Sequence, residues 1–101
     1  NERPPVTSAQ RERHWGVDCE RLRQELLQIS SSRAVSEADM TRWRESLLLC
    51  AAIHNTPGTA DALACPDYAA AARVLADSQA GSDRDPAKLV PRLEKTLQCD
   101  T

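Results

Sequence analysis

Four cysteines, at positions 19, 50, 65 and 99, constrain this chain of 101 residues more than any other feature. A domain of this length buries only about 60–65% of the surface its unfolded chain exposes, and such small cores often rely on covalent or metal staples. An even number of cysteines in so short a chain reads as a disulfide framework in an oxidising compartment, or as thiols and metal ligands in a reducing one. The staple is needed here, because eleven Leu, five Val, two Ile and no Phe must build the core beside fifteen Ala. Disorder would require a large net charge as well, and the balance is only −2, so the chain is expected to fold as one thin-cored domain.

The hydrophobic pattern is helical throughout. Trp15, Cys19, Leu22, Leu26 and Ile29 recur at steps of four and three, a single stripe on a first helix that ends near Ser30. Ser36 with Asp39 resembles a capping box, and Val35 with Met40 a hydrophobic staple, which opens a second helix carrying Met40, Trp43, Leu47, Cys50 and His54. Pro57 and Gly58 close it. Pro66 suits a first helical position and Asp67 the first turn of a third helix with Tyr68, Ala72 and Leu75 on one face, ended by Gly81. Asp85 and Pro86 start a fourth, carrying Leu89, Val90, Leu93 and Leu97, in which Pro91 should introduce a kink or delay the start.

No segment alternates as a half-buried strand does. The expectation is an all-α fold, a small four-helix bundle of two helical hairpins stapled by disulfides, over residues 8–101, with 1–7 as a flexible leader. The chain opens on a polar "NERPPVTSAQ" without an initiator Met, which reads as a mature form whose signal peptide is gone. Arginine outnumbers lysine eleven to two, a bias common in GC-rich bacterial genomes.

The hairpins also test the cysteine pairing. With the first turn near Arg33, Cys19 lies fourteen residues before it and Cys50 seventeen after, a mismatch of about 4–5 Å at about 1.5 Å per residue. Cys65 and Cys99 are each seventeen residues from a turn near Ser82. The favoured pairing is therefore Cys19–Cys50 with Cys65–Cys99. The competitor joins Cys50 to Cys65 across the Pro-Gly loop and leaves Cys19 to Cys99.

Cys50, His54 and Cys65 together have the residue types of a metal site, but the close C-x2-C pairs of structural zinc sites are absent, and a cystine framework is preferred. Cys50 with His54 as a nucleophile pair would need an exposed, electropositive thiol, whereas the stripe turns Cys50 inward. His54 reads instead as a partly buried residue at a helix end. Trp15 and Trp43, the bulkiest apolar groups, are expected in the core. Arg11, Arg13, Arg21 and Arg23 are interleaved with Glu12, Glu20 and Glu25, so the first helix presents a solvated mixed face and not a nucleic-acid site. No phosphate loop, G-x-S-x-G or H-E-x-x-H motif occurs, and no enzyme, cofactor or resident metal is expected.

The polar start followed by Cys19, Cys50, Cys65 and Cys99 on short helices resembles the mature part of small bacterial envelope lipoproteins, in particular the all-helical secretion pilotins. "LLLCAAIHNTPGTADALACPDYAAAARV" is similar more locally to the conjugal exclusion lipoproteins. The first resemblance implies a non-enzymatic adaptor of the periplasm or the inner face of the outer membrane, binding a helical segment of a secretion-system component, with any lipid anchor outside this chain. The second implies blocking of a transfer machinery, and an immunity protein that blocks a toxin is the related alternative. For the adaptor, an amphipathic partner helix is expected to dock beside Trp43, Leu47, Tyr68 and Leu89.

Overall fold

The computed structural model describes residues 7–29, 35–54, 66–81 and 85–98. Within them the protein is all-helical, with α1 (Ser8–Trp15), α2 (Cys19–Leu27), α3 (Glu37–His54), α4 (Tyr68–Ala80) and α5 (Pro86–Leu97), and no strand. The expected first helix is thus two, which makes five helices where four were expected.

The break is built by Gly16 and Asp18. Gly16 has φ 70 and ψ 32, the left-handed conformation that glycine adopts without a Cβ penalty. Its N–H reaches the Arg13 carbonyl at 3.3 Å, while Val17 N–H reaches Glu12 O at 3.0 Å, the paired bonds of a Schellman ending. Asp18 then caps α2 by accepting from Arg21 N at 3.1 Å. The stripe of Trp15 and Cys19 is therefore discontinuous, and Trp15, expected in the core, is 58% exposed.

Side-chain caps start the other helices too. Thr7, expected within the leader, is the N-cap of α1 in a reciprocal box with Gln10, with bonds of 3.0 and 3.1 Å. Ser36 Oγ accepts from Asp39 N at 3.0 Å, as its spacing predicts. α4 begins two residues later than expected: Asp67 is its cap, accepting from Ala70 N, and Pro66 precedes the cap instead of occupying the first helical position. Asp85 caps α5 with Pro86 in its first turn, so Pro91 does not delay the start. The helix runs through Pro91 because the missing N–H falls on the outer side, where both Pro91 and Ala87, whose carbonyl loses that bond, face solvent.

α3 packs on α1, α2 and α4, and α5 packs on α4 and α2. The α3–α4 pairing is the most extensive, and the small side chains of Ala71 and Ala72, both buried, let the two backbones approach. Leu22, Leu26, Met40, Trp43, Leu47, Leu75, Leu89, Leu93 and Leu97 fill the core between them. Polar crosslinks lie around this core. Gln79 of α4 accepts from Arg44 at 2.6 Å and donates to Glu37 and Thr41, three residues of α3 on successive turns. Trp43 Nε1–H donates to Glu25 of α2 at 3.2 Å, which satisfies the one polar atom of this buried ring. The end of α5 is held from two sides, by Asp67 N–H on Thr96 O at 2.8 Å and by Arg23 Nη1 on Leu97 O at 3.4 Å.

Candidate functional site

The chemistry-bearing side chains gather where α1, the start of α2 and the end of α3 meet. Cys19 opens α2 and Cys50 sits one turn before the end of α3; their Cα atoms are 5.8 Å apart and the two sulfurs are bonded. This is the pairing favoured by the level of the two residues in the first hairpin, and it excludes the alternative in which Cys50 joins Cys65. Cys65 and Cys99 lie outside the described residues. Both bonded cysteines are buried, so the cystine is an interior crosslink. It closes a loop of 31 residues, for which chain entropy gives about 3–4 kcal/mol of stabilisation.

Glu12 projects from α1 onto this crosslink. Its Oε1 accepts from Cys19 N–H at 3.0 Å, and its Oε2 lies 2.7 Å from His54 Nε2. A carboxylate can only accept, so the imidazole Nε2–H donates. One carboxylate thereby satisfies a donor at the N-terminus of α2, where negative charge is favoured, and grips the last residue of α3. Both side chains are largely withdrawn from solvent, at 24% exposure for His54 and 20% for Glu12. The imidazole tilts against Tyr68 with ring centroids 5.5 Å apart. Tyr68 is buried at the start of α4; burial first, then the nearby carboxylates of Glu12 and Glu20, push its phenol up to about 12. Beside it, Arg23 forms a two-pronged contact with Glu20, at 2.6 and 3.2 Å. That hydrogen bonding lowers the Glu20 carboxyl below its ordinary range and raises the Arg23 guanidinium.

The Cys19–Cys50 bond agrees with the preferred cystine reading of Cys50 over the thiol-nucleophile and metal-ligand ones. The expected partner groove is corrected. Trp43, Leu47, Tyr68 and Leu89, expected to edge a partner groove, are all in the core, each less than 10% exposed. They meet their neighbours because each lies at the centre of its stripe and not at its margin. Among the described residues, the large apolar side chains that do face solvent are Trp15, Leu48 at 53% and Leu49 at 36%.

Glu12 was legible only as part of a mixed charged face. The signal for its role was Gly16 followed by Asp18, because a break there lets α1 turn back over Cys19. Among the described residues, Glu12, Cys19 and His54 also form the single convergence of metal-ligating side chains, with ligand atoms all within 4.8 Å of one another. No helix among the described residues is long and apolar enough to cross a membrane. No family model, curated protein or solved structure matches the chain.

Proposed function

We propose that this protein is a non-enzymatic, pilotin-like adaptor of the bacterial cell envelope, in which a compact helical bundle binds a helical segment of a secretion-system component. The observation that carries this reading is the second apolar face of α3. Its inner face, Met40, Trp43, Leu47 and Cys50, is buried, yet Leu48 and Leu49 stand exposed on the opposite side, followed by exposed Ala52. A helix that is apolar on both sides has more to bury than its own domain covers. Two leucines one turn from a small residue match the i, i+3, i+4 anchors by which an amphipathic helix is held. Glu45, one turn before them on the same side and exposed, selects a partner helix with a basic residue at its edge.

The cystine supports the compartment in this reading. A bonded Cys19–Cys50 pair in the interior suits the oxidising periplasm, since cytosolic thiols are kept reduced. The docking surface proposed from the structure is therefore Leu48 and Leu49, in place of Trp43, Leu47, Tyr68 and Leu89.

Titration of the isotope-labelled protein with synthetic secretin tails tests the reading. Amide signals of Leu48, Leu49 and their neighbours should move, and Leu48→Asp with Leu49→Asp should abolish the response. A titration that leaves every amide unmoved overturns it. Tight co-purification with a toxic enzyme instead of a secretin would replace it with the immunity reading.

A further inference from the structure

The cluster at the cystine contains more ligand chemistry than a structural crosslink requires. Glu12, His54 and Cys19 place a carboxylate oxygen, an imidazole nitrogen and a sulfur within 4.8 Å of one another. Zinc binds such donors at about 2.0–2.3 Å, so side-chain shifts of about 1 Å close donors up to 4.8 Å apart onto one ion. Cys50 is four residues before His54 on the same side of α3, and its sulfur is bonded to that of Cys19. Freed, the two sulfurs, the imidazole and the carboxylate make a four-donor set of the mixed N, O and S kind that zinc accepts.

We propose that Glu12, Cys19, Cys50 and His54 form a thiol-dependent site for a zinc-class divalent cation, closed while the Cys19–Cys50 bond is intact and opened by its reduction. A dithiol reductant supplies two electrons and two protons: its own two sulfurs join, the Cys19–Cys50 bond breaks, and two thiols result. The cation then binds both as thiolates and releases two protons to solvent. His54 binds through Nε2 once its proton resides on Nδ1, and Glu12 exchanges its 2.7 Å hydrogen bond to His54 for a shared ion. The Cys19 N–H bond to Glu12 Oε1 stays in place and orients the carboxylate, as outer-shell bonds do for metal ligands. The same contacts thus support two closures of one junction, covalent when oxidised and coordinate when reduced.

Cobalt(II) serves as the probe, because its thiolate charge-transfer and tetrahedral bands report ligand type directly. The chain carrying Cys65→Ser and Cys99→Ser, which removes the other two thiols, is reduced with a phosphine under inert gas and titrated with the metal alone. Tetrahedral cobalt bands with two-thiolate intensity are expected, and none in the oxidised form. His54→Ala and Glu12→Gln in that background should each weaken binding by at least the factor of about 10–100 that outer-shell losses cost. Circular dichroism records whether the reduced chain is folded before metal is added; if it is not, cobalt should restore helix in the parent and not in His54→Ala. Absence of the bands in the reduced chain, or bands that neither substitution weakens, overturns the proposal.

Discussion

Glu12 Oε2 and His54 Nε2 are 2.7 Å apart, and through this contact a residue of the eight-residue α1 holds the last residue of the longest helix. α1 buries no residue of its own, so its attachment depends on this contact and on the Schellman ending that aims it. Glu12→Ala removes the acceptor of His54 and of Cys19 N–H together. The expected loss is about 1–3 kcal/mol, the range for leaving partly buried donors without a partner, with faster amide exchange confined to α1 and the first turn of α2. Urea unfolding and exchange rates check both.

Gly16→Ala tests the helix break. Nothing lies within 4 Å of the Cβ it would add, so the change meets no obstacle and acts through φ alone. A left-handed non-glycine residue costs about 1–2 kcal/mol, and the midpoint of urea unfolding should fall accordingly with the slope unchanged.

Reducing the Cys19–Cys50 bond, or replacing both cysteines by Ala, should cost about 3–4 kcal/mol by loop entropy. In a Cys65→Ser, Cys99→Ser background, intact mass should rise by two hydrogens on reduction and the unfolding midpoint should drop in the same sample.

Tyr68 is the only tyrosine, so the tyrosinate absorbance on alkaline titration reads this residue alone. Its folded value of about 12 is above the ordinary value near 10. The neutral phenol is therefore the form the fold favours. Its stabilising contribution is complete below pH 10 and is lost as the pH rises toward 12, by at most about 1.4 kcal/mol per pH unit. Tyr68→Phe should remove this component of the alkaline slope, and the difference between the two stability profiles measures it.

Trp43 is buried with its indole N–H on Glu25, and Arg42, 5.6 Å from its ring centroid, approaches the same carboxylate. Glu25→Ala should destabilise by about 1–3 kcal/mol, whereas Leu48→Ser, at an exposed site, should remain within about 0.5 kcal/mol of the parent. Equilibrium unfolding of the two variants compares them directly.

Much of this architecture is legible in the sequence where local chemistry decides it. Ser36, Asp85 and Pro86 act at their helix starts as their residue types imply, and Cys19 and Cys50 are level because α2 and α3 are antiparallel neighbours of matching reach. What escaped the sequence depends on a neighbour. A stripe identifies a face but not how far the covering helix extends, so Trp43, Leu47, Tyr68 and Leu89 read as margins while being central. Trp15 fitted the stripe by spacing, and a single glycine removed it. Leu48 and Leu49 belonged to an apolar run whose inward and outward members only the packed helix separates. The role of Glu12 required knowing that α1 folds back, which no pattern on one helix encodes.

Arg23 of α2 reaches the backbone of Leu97 in α5, a contact spanning 74 positions of the chain. A growing polypeptide can pair α2 with α1 and α3 and form the Cys19–Cys50 bond early, but the packing of α2 on α5 waits until α5 has been made. The fold therefore has a late, non-local closing step. Truncation before Leu93 would leave a covalently linked structure without the Arg23–Leu97 contact and with the α5 side of α2 uncovered, a species for chaperones and proteases to sort.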